Sequence, residues 1–380
     1  MKKTLAAVAL MSAFAGSAMA DVTLYGRVDT GLLMNDYEKT TEAGVVTEGT
    51  SWGLESGLST TSRVGIKGSE QISEGLTVGF NLETKLLVDS GKAFDGGFDR
   101  ESVLWAKTDY GTVYAGKVGS MWSDGGATNF WAGNYVAFGT GAGADMAAGS
   151  GFMVSQARVA NRVAYKSPTI AGFTAYAEYS FGTGITDDHD KDQYTDDTTK
   201  YFDNQSKDNR PAALGLNYAN GAFGAGMVVS YKNEASVDAV TGEVSEPEDE
   251  VTVSVGTNYD FGVANVKLAA QYYKDANTVG LLKEVGVDGR DEFEGYSVTF
   301  GADIPAWGGN WTVGLAYGDG EDKAEGANFE YEGYNAAAMY YYPLSKQTKV
   351  YAGAGYTKME SGEKAEYESI KAVMGMAHYF

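Results

Sequence analysis

The chain has 380 residues, a formal net charge of −22 at pH 7 and no cysteine. Its 51 glycines and 26 tyrosines, against 5 prolines, are typical of a β-protein rather than of a disordered chain. The lack of cysteine excludes disulfides and thiolate chemistry, and the strong acidity argues against a nucleic-acid partner.

The first twenty residues have the pattern of a secretory signal peptide. Lys2 and Lys3 precede an apolar run over 5–14, and the small-residue pattern of 18–20 suits a cleavage site. The alternative, a first transmembrane helix, is disfavoured because the run is shorter than the ~20 residues that such a helix needs. We therefore predict a signal peptide over 1–20 and a mature domain over 21–380.

Sixteen runs of alternating residues follow, and a period of two is typical of β-strands with two different faces. The first run sets Leu24, Val28 and Leu32 against Tyr25 and Arg27. The fourth does not sort cleanly into two faces. The runs lie at 22–32, 62–69, 76–86, 100–107, 112–117, 158–166, 173–181, 214–218, 223–231, 251–259, 266–272, 296–302, 311–317, 334–342, 350–356 and 370–380.

The connections between the runs alternate in length. Short ones, such as 109–111 and 260–262, alternate with long ones at 34–60, 87–99, 119–157, 183–209, 233–249, 274–293, 318–332 and 358–367. Short turns at one end and long loops at the other are typical of an up-and-down outer-membrane barrel. We predict an all-β fold, a sixteen-stranded antiparallel transmembrane β-barrel with apolar side chains toward lipid. A secreted β-sandwich is the disfavoured alternative, because it needs neither sixteen strands nor alternating loops.

The sixth run, RVANRVAYK, places its three cations on one parity, Arg158, Arg162 and Lys166, and Val159, Asn161, Val163 and Tyr165 on the other. The segment before it, 119–157, is long, rich in glycine and aromatic residues, and has no clear period. We interpret this segment as a third loop folded into the barrel, opposite the row of cations.

Several segments together resemble Gram-negative general porins of the neisserial and β-proteobacterial type. They are DVTLYGRVDTGL at 21–32, SRVGIKGSEQISEGLTVGFNLET at 62–84, DYGTVYAGK at 109–117, NRVAYKSPTIAGFTAYAEYS at 161–180 and MGMAHYF at 374–380. The resemblance covers nearly the whole mature chain. It implies a sixteen-stranded barrel in the Gram-negative outer membrane, a homotrimer, and an inward third loop. It also implies that Phe380 belongs to the signal for the barrel-assembly machinery.

The resemblance further implies a constriction with cations on the wall and acids on the third loop. The wall positions that match are Arg27, Arg63, Lys117, Arg158, Arg162 and Lys166, and periodicity independently gives Lys67 the lumen parity. The loop offers two acids, Asp124 and Asp145, and is otherwise rich in glycine and alanine.

We expect passive diffusion of ions and small hydrophilic solutes, with a weak anion preference at the throat. A substrate-specific channel and a loop-mediated adhesin remain alternatives, because fold alone excludes neither. An outer-membrane enzyme is disfavoured, because no nucleophile constellation is recognisable, and no cofactor is expected. Two histidines and no cysteine make a zinc site improbable, and we interpret His189, among loop aspartates, as a solvated residue.

Overall fold

The computed structural model describes residues 22–41, 43–93, 97–123, 125–138, 152–154, 158–182, 210–233, 236–237, 244–245, 248–277, 279–280, 292–323, 329–362 and 364–380. The predicted signal peptide lies outside these residues, as do His189 and the two loop acids Asp124 and Asp145. Within the described part there is no helix long and apolar enough to cross a membrane.

The described chain forms twenty β-strands. They are β1 (Thr23–Thr40), β2 (Val46–Ser56), β3 (Arg63–Ser73), β4 (Leu76–Leu87), β5 (Lys92–Ala93), β6 (Glu101–Thr108), β7 (Gly111–Gly119), β8 (Arg158–Lys166), β9 (Phe173–Ser180), β10 (Arg210–Asn220), β11 (Phe223–Asn233), β12 (Ser236–Val237), β13 (Val244–Ser245), β14 (Glu250–Asp260), β15 (Asn265–Ala276), β16 (Phe293–Ala306), β17 (Gly309–Asp322), β18 (Phe329–Pro343), β19 (Thr348–Ser361) and β20 (Ala365–Tyr379).

Sixteen of these strands form one closed antiparallel ring. Each pairs with the next in the order β1, β3, β4, β6, β7, β8, β9, β10, β11, β14, β15, β16, β17, β18, β19, β20, and β20 pairs back to β1. The seam runs over Arg27 to Thr40 of β1, and below it the backbones of Gly26 and Phe380 exchange hydrogen bonds of 3.0 and 3.1 Å. Closure pairs the edge strands, which a sheet in lipid requires. The predicted sixteen-stranded barrel is confirmed.

The two faces of the strands differ as the alternation predicts. Leu104, Leu214 and Met374 are exposed on the outer surface, whereas Thr252 and Ser254 are buried on the inner side. Aromatic side chains lie near both ends of the outer surface, as in the girdles of outer-membrane barrels. Those nearest the short turns are Tyr165, Phe173, Phe223, Tyr259, Phe261, Trp307 and Tyr342, and those nearest the long loops are Tyr231, Tyr272, Tyr296 and Tyr334.

Three of the predicted long connections differ from the structure. The first is not a loop throughout: it contains β2, which pairs with the second half of β1, from Thr30 to Thr40. The last two long connections shorten to 323–328 and 362–364, because β17 to β20 continue their alternation beyond the predicted ends. Tyr331 and Tyr367, in these extensions, are buried in an apolar cluster on the inner side.

The predicted faces of β8 were also wrong at its first half. Gly116 of β7 pairs with Arg162 and Val118 pairs with Val159, so Lys117 alone lies opposite two residues, Ala160 and Asn161. This is a β-bulge, and Asn161 has a positive φ of 50°. The extra residue shifts the alternation. Val159 is therefore buried on the side of its partner Val118, and its neighbour Arg158 does not share the alternation of Arg162 that the prediction gave it. Val163 and Tyr165 are exposed outside as predicted.

The inner side of the barrel is not uniformly polar. Four apolar clusters of buried residues combine wall and loop side chains. One contains Val103 of β6, and its neighbour Trp105 packs against it. This explains why the fourth run did not sort cleanly: β6 carries apolar side chains on both faces, since its inner face is covered by a loop.

Candidate channel constriction

Two arginines lie side by side on the inner wall. Arg27 of β1 pairs with Arg63 of β3, and the Nε of each donates to the carbonyl oxygen of Thr61, at 3.0 and 3.2 Å. Like charges on adjacent strands repel, and the shared acceptor offsets part of that repulsion. The two guanidinium groups are thereby held at one level of the barrel.

Further charged side chains adjoin this pair. Arg63 Nη1 lies 3.5 Å from Glu83 Oε1, and the Nε of Arg100 donates to the same oxygen at 2.6 Å. Arg158 is half-buried, and its Nη1 lies 3.4 Å from the carbonyl oxygen of Arg100. These contacts join Arg63 and Arg100 to the Glu83 carboxylate, and Arg158 to the backbone of Arg100. Arg27 is linked to Arg63 through the shared Thr61 carbonyl. We call Arg27, Arg63, Arg100 and Arg158 the arginine cluster.

The segment that carries Thr61 bends into the barrel. Its Thr60 N–H donates to Asp29 at 2.9 Å, its Ser62 hydroxyl accepts from the Asp29 N–H at 2.9 Å, and Tyr351 donates to the same carboxylate at 2.5 Å. Leu58 is buried with Met339, Tyr351 and Val373, and Phe138 packs against this cluster. Residues 57–62 therefore line the interior on the β19–β20–β1 side.

Loop L3, the connection 120–157, is described at 120–123, 125–138 and 152–154. Its first part is fixed to the wall by two carboxylates. Glu178 of β9 accepts from the Met121 N–H at 3.1 Å and from the Thr128 hydroxyl at 2.5 Å, and pairs with Arg162 at 2.5 Å. Glu101 of β6 accepts from the Ala127 N–H at 2.7 Å. Both carboxylates are buried, and donors of L3 satisfy them.

Glycines on the inner wall make room for L3. A Cβ added at Gly256 would lie 2.7 Å from Cβ of Tyr135, and one at Gly301 would lie 2.7 Å from Cβ of Ala137. Met121 and Phe130 occupy the same kind of space at Gly215, and Phe152 does so at Gly318 and Gly333. Such close approach of side chain to backbone requires glycine in the wall. The described parts of L3 therefore lie against the inner face of strands β10 to β18.

The returning end of L3 is held by one side-chain amide. Gln271 of β15 accepts from the Val154 N–H at 2.7 Å and donates to the Val154 carbonyl at 2.8 Å. Both backbone groups of one residue are thus satisfied by one buried side chain, as in a strand pairing. Tyr135 and Asn134 add hydrogen bonds to Asn217 and Asn258, at 2.5 and 3.1 Å.

The predicted basic residues do not form one ring. Arg27, Arg63 and Arg158 lie in the arginine cluster. Arg162 is buried, as Arg63 is, but its partner Glu178 also binds L3, so Arg162 belongs to the contact between wall and loop. Lys67 and Lys166 each lie four residues nearer the short turns than Arg63 and Arg162, about 13 Å along a strand.

Lys117 does not have the inward face that the prediction assigned to it. It shares the parity of Val113 and Ala115, whose side chains are exposed, because β7 keeps its alternation through the bulge in β8.

The sequence prediction missed the acids of the wall. It searched for acids only in L3, whereas Glu83, Glu101 and Glu178 lie on strands and meet the cations and the loop there. Glu83 and Glu178 have the polar parity of their runs, a signal that could have identified both. Arg100 precedes β6 and carried no such signal.

A closed sixteen-stranded barrel with charged side chains and a loop against its inner wall defines a membrane channel of the porin class. The family profile for Gram-negative porins matches residues 6–362. The chain is 30 % identical to an outer membrane porin protein of Bordetella pertussis over 94 % of each chain. It is 26 % identical to the major outer membrane protein P.IA of Neisseria meningitidis serogroup C over the full length of both.

A solved structure, an anion-selective porin from Comamonas acidovorans, superposes with a TM-score of 0.63 at 23 % identity, covering 95 % of this chain and 100 % of that one. This likeness supports the fold. The protein belongs to the Gram-negative porin family, and the predicted family is confirmed. It is an outer-membrane porin, a water-filled channel for the passive diffusion of ions and small hydrophilic solutes.

Proposed function

We propose that the throat of this channel lies between the arginine cluster and L3, and that it has a weak preference for anions. The observation that carries the proposal is the convergence of Arg27 and Arg63 on one carbonyl oxygen. Guanidinium groups fixed in a narrow aqueous bore create a positive potential that attracts anions and repels cations.

Carboxylates on the same inner wall lower this positive potential. Glu83 is shared between Arg63 and Arg100, Glu101 is capped by L3 backbone donors, and Asp29 accepts from Tyr351 and Thr60. Glu83 forms ion pairs with the arginine cluster, and each of the three carboxylates has a described structural partner. Their negative charge lowers the potential that the arginines create, so we expect a preference that is modest rather than strong.

The reversal potential across a KCl gradient in a planar bilayer tests the proposal. We expect anion preference in the native channel, and its reduction or loss when Arg27→Gln and Arg63→Gln are combined. The control is Lys358→Gln, because Lys358 pairs with Glu360 and Glu366 on the outer surface. Strong cation selectivity of the native channel, or the same selectivity in both variants, would contradict the proposal.

We further propose that transport is non-saturable and needs no catalytic step. Among the described residues no group of three or more His, Cys, Asp and Glu side chains is arranged to hold a metal ion. Current that rises linearly with solute concentration supports a general porin. Saturable, solute-specific flux would favour a substrate-specific channel, and binding by the extracellular loops without such flux would favour an adhesin.

We propose a homotrimer, as the family resemblance implies, that folds with the barrel-assembly machinery. Cross-linking of the native membrane protein tests the oligomer, and recovery of only single chains would reject it.

A further inference from the structure

A second basic site lies between the arginine cluster and the short-turn end of the barrel. A cavity of about 630 Å³ opens on the inner wall beneath Ala127 of L3. Lys107 of β6 and Lys166 of β8 line it, together with Trp105 and Tyr114. A volume of this size suits a small organic molecule.

The register places the two lysines in one row. Lys107 pairs with Thr112 of β7, and Thr112 pairs with Lys166. The two Cα atoms are therefore separated by two strand spacings, about 9.6 Å. Ammonium groups on four-carbon stems reach a common ligand across such a gap. Trp105 and Tyr114 pair with each other two residues farther along the strands, toward the middle of the barrel.

The charge of this site is positive and largely uncompensated within the described part of the chain. Neither Lys107 nor Lys166 forms an ion pair with a described residue; Lys166 Nζ instead lies 5.7 Å from the ring centre of Tyr176. Asp109, at the turn, is the acid that lines the cavity. Asn81, also in the lining, pairs with Lys67, which adds a third cation nearby.

We infer that this cavity is a subsite for small organic anions with an aromatic body, on the periplasmic side of the throat. The carboxylate or comparable anionic group would lie between Lys107 and Lys166, and the ring would lie against Trp105 and Tyr114. Such a subsite retains a solute that has passed the arginines and thereby lowers the current that inorganic ions carry. The inference rests on the proposed channel function and adds a ligand class to it.

The test uses the full-length channel in a planar bilayer with benzoate as the probe. We expect benzoate added on the short-turn side to reduce the KCl current. Acetate, which lacks the ring, and benzyl alcohol, which lacks the charge, are expected to leave it unchanged. Lys107→Gln and Lys166→Gln should each raise the half-blocking concentration of benzoate by about two- to fivefold, within the range for one partly solvated charge contact.

Lys349→Gln is the matched control and should block like the native channel. Lys349 is also near the short turns, lies over the rings of Tyr341 and Tyr379, and belongs to β19, away from the cavity. Trp105→Leu should also weaken the block, and Lys107→Arg should retain it. Absence of block by benzoate, equal block by acetate, or the native half-blocking concentration in Lys107→Gln and Lys166→Gln would overturn the subsite. Absence of any ohmic conductance would instead overturn the channel function.

Discussion

At the scale of single residues, the pair of Arg162 and Glu178 is the most buried charge contact described in the barrel. Their side chains are 2 % and 1 % exposed, and their ion pair is 2.5 Å long. Desolvation makes such a pair costly, so its value here lies in what else it binds. The second carboxylate oxygen accepts from Met121 and Thr128, and the pair thereby fixes the start of L3 to β8 and β9.

Glu178→Gln should destabilise the folded barrel by about 3–5 kcal/mol, because it leaves the Arg162 charge buried without its partner. Urea unfolding in micelles measures the change. Glu360→Gln is the control, since the Lys358–Glu360 pair on the outer surface is exposed and its loss is expected to change stability little. Equal unfolding curves for native protein and Glu178→Gln would show that the pair does not anchor L3.

At the scale of elements, L3 and the wall are complementary in shape. Side chains of L3 lie against glycines of β10, β11, β14, β16, β17 and β18, where the wall has no side chain. These are Gly215, Gly226, Gly256, Gly301, Gly318 and Gly333. The position of L3 in the lumen is thus set by packing as well as by hydrogen bonds.

Gly256→Ala tests this packing. Its methyl group would collide with Tyr135, and we expect L3 to shift toward the lumen and the single-channel conductance to fall. Gly53→Ala is the matched control, because the nearest atom to a Cβ there is 3.7 Å away, at the end of the Glu55 side chain. A conductance unchanged by Gly256→Ala would mean that the wall yields and L3 stays in place.

The alternation predicted most of the wall, because lipid and water impose opposite preferences on successive residues. The alternation failed where an inner-wall residue contacts L3 instead of water. Val103 is apolar and faces inward, since Ala127 of L3 packs against its cluster, and the β8 bulge depends on one extra residue that no periodicity reveals. The roles of Glu178 and Gln271 follow from contacts with L3 residues at least 50 residues away in the sequence, which local patterns do not encode.

At the scale of the whole molecule, the ring is closed where β20 pairs with β1. Phe380 exchanges backbone hydrogen bonds with Gly26, and a Cβ at Gly26 would lie 2.5 Å from the Phe380 ring. Phe380 therefore covers the seam between β1 and β20. Its part in an assembly signal stays a prediction from the family resemblance.

Deletion of Phe380 should lower the yield of folded barrel in the outer membrane severalfold, because it removes both seam hydrogen bonds and the terminal ring. The fraction of heat-modifiable protein on unheated gels measures folding. Phe380→Tyr keeps the backbone contacts and an aromatic ring, and should fold nearly as well. A deletion variant that folds to the native level would contradict the role of this residue in closure.

The spaces that the wall glycines leave for L3 have a consequence for protein engineering. If L3 is replaced by a loop from another porin, the glycine positions of the wall must be changed to fit the new side chains. Otherwise the new loop will pack at a different distance from the wall. Pore diameter in this protein therefore depends on L3 and on the wall glycines together. A chimera in which only the loop is exchanged should have a pore diameter that differs from those of both source proteins.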